Sequence, residues 1–309
     1  MIVAPKIRLK MTTNPTASDS SPSLLSARLT VRYPGKEPVL RGVSLDIGRG
    51  EIVGLVGQSG SGKSTLAMAI MGLLGRQRAF VEGSIVFQGA NLLAMSEREM
   101  RSLRGHALSL VLQSPLASLN PALQIGTQLR EAWRAHSGTN GRTYSNKQAT
   151  AHDCDRAIQS ALTSVSLPGT DDGMGHEFLR KRASQLSVGQ AQRVLIAMAI
   201  LHRPALLIAD EATSALDVIT QSEILELFAR LNRETGMSIL YVSHDLPSVA
   251  GICSRIAILH QGEIVECGTA EQIFTAPEHA YTRRLMAALP QFPGRRNGYR
   301  PKTQAASAE

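Results

Sequence analysis

Lys63 lies in the run Gly57-Gln58-Ser59-Gly60-Ser61-Gly62-Lys63-Ser64-Thr65, which satisfies the phosphate-loop pattern G-x-x-x-x-G-K-[ST]. Glycines let such a backbone curl until its N–H groups converge on an anion, and a helix starting at the loop adds the positive end of its dipole. The pattern gives Lys63 a point charge near β and γ phosphates and Ser64 a hydroxyl for Mg2+. Gly57, Ser59, Gly60, Ser61, Gly62 and Thr65 complete the cradle. Far along the chain, Ala205-Leu-Leu-Ile-Ala-Asp-Glu211 is an apolar run ending in two adjacent carboxylates. Delivered to a strand end beside a phosphate loop, Asp210 can bind Mg2+ and Glu211 can polarise the water that attacks a γ-phosphate. Tyr241-Val-Ser-His-Asp245 ends another strand near the same edge. That position separates His244 from the other seven histidines, for which structural roles are expected.

These groups can meet only if strands carry them to one edge of a sheet. Strand-like segments are expected over 29–33, 43–47, 52–56 and 84–87, broken by Pro34-Gly35 and Gly48-Arg49-Gly50. The apolar stretch 66–74 reads as a buried helix directly behind the loop. From about 91 to 185 the pattern turns helical and more polar, with loop signals at 137–141 and 168–173. Alternation then resumes with a helix over 187–201, a strand over 205–209, a helix over 221–235 and a strand over 238–242. A hairpin over 255–266 turns at Gln261-Gly262. The fold class is α/β, with a mostly parallel sheet and ligands at its strand ends.

The 309 residues suffice for a large core, and 43% hydrophobic with 19% charged residues is ordinary for a soluble domain. No apolar run approaches the roughly 18 to 20 residues that span a bilayer. The first ten residues scatter charge without an apolar centre, so no signal peptide is expected and a cytoplasmic location is. Residues 1–24 read as a disordered tail. Cys154, Cys253 and Cys267 form no C-x-x-C pair, which fits reduced thiols rather than a metal cluster. The net charge of +8 gathers toward the two ends, and with 4% aromatic residues no basic stretch is interleaved with aromatics. Nucleic acid is therefore not an expected partner.

Taken together, the motifs resemble the ATP-binding subunits of ABC transporters, over nearly all of residues 25–290. The deciding one is Leu186-Ser-Val-Gly-Gln190, which is similar to the family signature L-S-G-G-Q. Ser187 is placed to cap the helix running to Ile200, so that its hydroxyl and Gly189 could cradle phosphate. In the family this cradle, Ser187, Gly189 and Gln190 here, serves the ATP held by the opposite subunit. The resemblance further implies that Gln113 senses Mg2+ and touches the membrane partner. It makes Ser214-Ala-Leu-Asp217 the segment crossing the subunit interface, His244 a γ-phosphate contact and Tyr33 the aromatic that stacks on adenine. The implied fold is a phosphate-loop NTPase cassette: a mostly parallel core sheet, an antiparallel β subdomain and a helical subdomain over about 91–200. Val188 replaces the first signature glycine, and Ala212 stands where the family usually has proline. An active site with altered affinity for ATP across the dimer is expected.

Leu112-Gln-Ser-Pro-Leu-Ala-Ser-Leu-Asn-Pro121 is similar to the F-Q-D-P-x-x-S-L-N-P segment of oligopeptide and dipeptide importers. Pro277-Glu-His-Ala-Tyr-Thr-Arg-Arg-Leu-Met-Ala-Ala-Leu-Pro290 resembles their H-P-Y-T-x-x-L-x-x-A-x-P tail, with Ala280 in place of proline. The expected organisation is an ATPase domain over 25–269, this importer-type motif over 270–293 and a flexible basic tail over 294–309. The implied role is a peripheral ATPase on the cytoplasmic face of the cell membrane, using ATP and Mg2+. Its implied partners are two transmembrane permease subunits, a second ATPase subunit that is either a copy or a related chain, and, indirectly, a solute-binding protein. Nickel importers share these features, so peptide and nickel or another small solute both stand as cargo. A soluble ATPase acting on DNA or ribosomes fits less well, because neither inserted heptads nor a second cassette is present. A regulatory subunit with a dead site conflicts with retention of Lys63, Asp210, Glu211 and His244.

Overall fold

The computed structural model describes residues 23–77, 79–137, 151–169 and 173–289. Ten strands form two sheets. A four-stranded antiparallel sheet runs β2-β1-β4-β5, from β1 (Leu25–Arg32), β2 (Pro38–Ile47), β4 (Phe80–Phe87) and β5 (Ala90–Asn91). A six-stranded sheet runs β10-β9-β3-β8-β7-β6, from β3 (Ile52–Val56), β6 (Leu108–Val111), β7 (Leu206–Asp210), β8 (Ser238–Ser243), β9 (Arg255–His260) and β10 (Glu263–Thr269). Within it β10 pairs antiparallel with β9, and every other pairing is parallel.

Every residue of β3, β7 and β8 is buried, as a parallel sheet covered on both faces requires. Alternate side chains serve two cores. Val53, Leu55, Leu206, Ile208, Leu240 and Val242 pack toward the antiparallel sheet with α1 (Lys63–Ile70) and α2 (Glu97–Leu103). Ile52, Val56, Leu207, Ala209, Ile239 and Tyr241 face the opposite side. There they meet α4 (Ile125–Ser137), α5 (Ala151–Ser164), α6 (Gly173–Arg180), α7 (Val188–Ile200), α8 (Val218–Thr235) and α9 (Leu246–Ile252). The short α3 (Pro115–Ser118) lies against α7, and α10 (Ala270–Thr275) and α11 (Ala280–Ala287) complete the chain. Side-chain caps mark several helix starts: Ser187 and Gln190 form a reciprocal capping box on α7, and Asp217 accepts two backbone N–H bonds on α8.

Three expectations change. The stretch 91–185 is not helical throughout, because Leu108–Val111 forms β6 and extends the sheet beyond β7. Four residues with three buried are too short for a period, and the helices on either side mask them. The helix behind the phosphate loop begins at Lys63 and ends at Ile70, since the glycine at 72 adopts φ 63° and turns the chain. Order already includes Leu24, which is buried and donates its N–H to Ile47 at 2.8 Å. Of the tails expected over 1–24 and 294–309, residues 1–22 and 294–309 lie outside the described residues. The hairpin forms at Gln261-Gly262, both with positive φ as a tight turn demands.

Candidate nucleotide site

The parallel strands put four chain ends on one edge. Register pairs Val56 of β3 with Ser243 of β8 and Ile258 of β9, and Asp210 of β7 with Val242 of β8. The phosphate loop leaves β3 between the ends of β8 and β9. Gly62 takes φ 108° as the left-handed N-cap of α1, a conformation that glycine adopts without penalty. A Cβ on Gly57 would stand 2.2 Å from the Leu259 carbonyl oxygen, so the loop runs flush against β9. Gly262 in the β9–β10 turn donates its N–H to Ser61 O at 3.2 Å, buttressing the loop from behind.

Lys63 is 4% exposed, and its Nζ donates to Gly57 O at 2.8 Å and Gln58 O at 3.1 Å. The same ammonium lies 3.6 Å from Glu211 Oε1, while His244 Nδ1 lies 3.4 Å from Glu211 Oε2. Glu211 thus has one carboxylate oxygen toward the phosphate-loop lysine and the other toward the exposed His244, just past the end of β8. Its backbone takes φ 49°, uncommon for a residue with a side chain, and is held there by a 2.9 Å bond to Val242 O. Beneath it, Thr213 and Tyr241 share a buried hydroxyl–hydroxyl bond of 2.8 Å.

Asp210 is 7% exposed. Burial, then the Glu211 charge, pushes its carboxyl above the usual aspartate range, against a hydrogen bond from Ser64 and the charge of Lys63. Its Oδ1 is buried and has no hydrogen-bond partner among the described residues. A desolvated carboxylate oxygen with an open valence beside a serine hydroxyl fits a hard cation, which binds oxygen ligands.

The remaining expected residues are distributed more widely. Gln113 Nε2 donates to Ser214 Oγ at 3.0 Å, and Ser214 in turn donates to Glu211 O at 3.0 Å, so its loop is tied to the segment behind the carboxylates. Tyr33 opens a turn closed by Lys36 N–H, and the strand after it reaches the loop where Leu40 meets Gly62. The phosphate-loop cleft is walled by Gly57–Ser59, Glu211, His244 and Leu285. Ser187, Gly189 and Gln190 sit apart from it at the start of α7, with Gly189 against Thr220 of α8. Asp217 spends its carboxylate on the N–H groups of Ile219 and Thr220 and on the Thr220 hydroxyl, which hold it below the usual range. None of Ser187, Gly189, Gln190 and Asp217 lines the phosphate-loop cleft. Sequence reasoning missed Leu285 and Tyr241; the first lies in the C-terminal stretch that was read only as a subfamily mark.

Among known proteins, residues 40–214, more than half of the chain, match the ABC transporter family model. Residues 265–309 match the oligopeptide/dipeptide transporter C-terminal region. The chain is 40% identical over 260 residues to the dipeptide transport ATP-binding protein DppD of Bacillus subtilis, covering 84% of this chain and 73% of that one. It is 40% identical over 280 residues to the oligopeptide transport ATP-binding protein OppD of Haemophilus influenzae, covering 89% and 81%. Its fold is similar to the ATP-binding cassette MJ0796, solved as a dimer in a post-hydrolysis state bound to ADP and Pi, with TM-score 0.65 and 26% identity over 80% of this chain and 98% of that one. A phosphate loop, a strand-end carboxylate pair and a helix-capping signature on one such scaffold make this chain a member of the ABC transporter ATP-binding proteins.

Proposed function

We propose that this ATPase energises peptide import across a membrane, closing head to tail on a second cassette when ATP binds and reopening after hydrolysis. The observation carrying hydrolysis is the approach of Lys63 and His244 to the two oxygens of Glu211 beside buried Asp210. The observation carrying peptide import is the match of residues 265–309, together with relatives named for dipeptide and oligopeptide transport.

In this reading Gly57, Ser59, Gly60, Ser61, Gly62 and Thr65 cradle the phosphates and Lys63 moves from the Gly57 and Gln58 carbonyls onto them. Mg2+, held by Ser64 and Asp210 with Gln113, neutralises phosphate charge when bound. Glu211 takes a proton from the attacking water, and His244 holds the carboxylate and meets the γ-phosphate. Tyr33 stacks on the adenine. Ser187, Gly189, Gln190 and Asp217 serve the nucleotide of the opposite cassette, in agreement with none of them lining this chain's own cleft. The ATPase domain spans 25–269, with a helical subdomain over about 91–200 and the importer motif over 270–293. Among the described residues no helix is long and apolar enough to cross a membrane. The chain is placed as a peripheral subunit on the cytoplasmic face, bound to two transmembrane permease subunits and served by a solute-binding protein, with no nucleic acid.

Tagged full-length chain purified from native membranes in mild detergent tests this. Two multi-spanning proteins and a second cassette are expected, and a peptide-binding protein encoded with them identifies the cargo. A nickel-binding protein in that place replaces peptide with metal, and recovery of ribosomes or nucleic acid instead of membrane proteins rejects transport.

A further inference from the structure

The phosphate loop has a wall that its motif does not contain. Helix α11 carries three buried side chains, Tyr281, Thr282 and Met286, and turns Leu285 into the cleft beside Gly57–Ser59, Glu211 and His244. Tyr281 and Leu285 are one turn apart, so both lie on the same face of the helix.

Two anchors hold that face. The Tyr281 ring stacks on His260 with centroids 3.7 Å apart and planes 18° from parallel. His260 ends β9, the strand whose Leu259 carbonyl abuts Gly57 and whose following turn bonds to Ser61. The Tyr281 hydroxyl is buried and faces the Gln58 backbone without a well-aligned hydrogen bond. Ahead of the helix, Glu266 of β10 accepts the N–H groups of Glu278 at 2.8 Å and His279 at 3.0 Å, fixing where α11 begins. Of the phosphate loop itself, α11 meets Gln58 through the Tyr281 hydroxyl and shares the cleft with Gly57–Ser59 through Leu285, and Gly57 and Gln58 also supply the carbonyls that hold Lys63.

We propose that α11 is a positioning element of the ATPase site. Tyr281 presses on the Gly57–Ser59 arm from behind, and Leu285 closes the cleft on the side of Glu211 and His244, keeping bulk water from the carboxylate. The inference rests on the assignment of Glu211 and His244 to hydrolysis. It gives the C-terminal region a catalytic consequence inside this chain rather than a role confined to partner recognition. Because Leu285 lines the cleft together with Glu211 and His244, while Lys63 and Ser64 are not among its walls, its loss slows turnover more than it weakens nucleotide binding.

The test uses the full chain carrying Leu285→Ala or Leu285→Met, with Glu211→Gln as reference, measuring Mg-ATPase rates, affinity for the fluorescent nucleotide TNP-ATP and melting temperature. In Leu285→Ala, kcat is expected to fall roughly tenfold, as a displaced catalytic group does, with nucleotide affinity and Tm held within about twofold and about 2 °C. Leu285→Met, which refills the volume, is expected to recover the rate. A rate within about twofold of wild type in Leu285→Ala overturns the proposal, as does a loss that tracks Tm and affinity together. If Glu211→Gln itself hydrolyses at the wild-type rate, the assignment of the base fails and the positioning role of α11, which rests on it, falls with it.

Discussion

Asp210 shows how a residue can be poorly suited to the fold that holds it and well suited to a ligand. Its carboxyl is buried, one oxygen is unpartnered, and burial with the neighbouring Glu211 charge raises its folded-state pKa. The sign of the consequence follows from linkage: the folded chain keeps the proton at a pH where the unfolded chain has released it. Stability from that proton is fully present below the unfolded pKa of an aspartate and is lost as pH rises through the raised folded value. At any pH above the unfolded value, the raised folded value therefore counts against the fold. Asp210→Asn is expected to raise stability at pH 7 by about 1 kcal/mol, or roughly 2–4 °C in Tm, a gain that shrinks toward acid pH. Scanning calorimetry at several pH values checks this; equal Tm at pH 7, or a gain that grows on acidification, contradicts it. The same variant should lose most of the stabilisation that Mg2+ and ATP confer on the wild type. Of the residues in this cleft, Lys63, Asp210, Glu211 and His244 were legible because each ends a strand or loop with a recognisable spacing. Tyr241, which braces Thr213 from inside β8, and Leu285 were not, because an apolar residue in a buried run carries no local sign of what it faces.

At the scale of elements, legibility followed length and punctuation. The segments 52–56 and 238–242 were placed to within a residue because glycine-rich turns and apolar runs bound them. Helix α8 ends at Thr235 as expected but begins at Val218, three residues before the expected 221, because Asp217 caps it there. β6 escaped, since four residues inside a helical region carry no period, and its strand character comes from pairing with β7 rather than from its own propensity. Helix α7 carries a distinction that sequence can state but not decide. Ser187 caps it in a reciprocal box with Gln190, while the family assignment gives the same hydroxyl to the opposite subunit's phosphate. The two roles separate by substitution. Ser187→Ala removes both, with about 1 kcal/mol of stability from the lost cap. Ser187→Asn keeps an N-cap acceptor but alters the cradle, so its Tm should stay near wild type while ATPase activity drops at least about tenfold, the order of one lost transition-state contact. Wild-type ATPase activity in Ser187→Asn would leave the serine only its capping role.

For the molecule as a whole, the proposed head-to-tail mechanism assigns phosphate to two surfaces, and the residues of the second do not line the cleft of the first. The cleft at the carboxyl edge of the sheet holds Lys63 and Glu211, while Ser187–Gln190 and Asp217 gather where α7 and α8 begin. Around the second surface Val188, Val218 and Ile219 are exposed, the last two by 82% and 75%, which is unusual for branched apolar residues on a solvated face. A second cassette closing on this face would cover them. If ATP is the bridge between surfaces, pairing must depend on nucleotide, and blocking hydrolysis must preserve the pair. Glu211→Gln keeps the shape of the side chain and removes the base, so turnover is expected to fall by at least about a hundredfold while ATP binding persists. Sedimentation velocity of this variant with Mg-ATP then reads the pairing directly. Two copies sedimenting together with ATP and apart with ADP establish a homodimer. A single species that pairs only after the second cassette of the transporter is added establishes a heterodimer, in which Val188 marks one of two unequal sites. Absence of ATP-dependent pairing with either partner would separate the two half-sites for good and remove the head-to-tail mechanism.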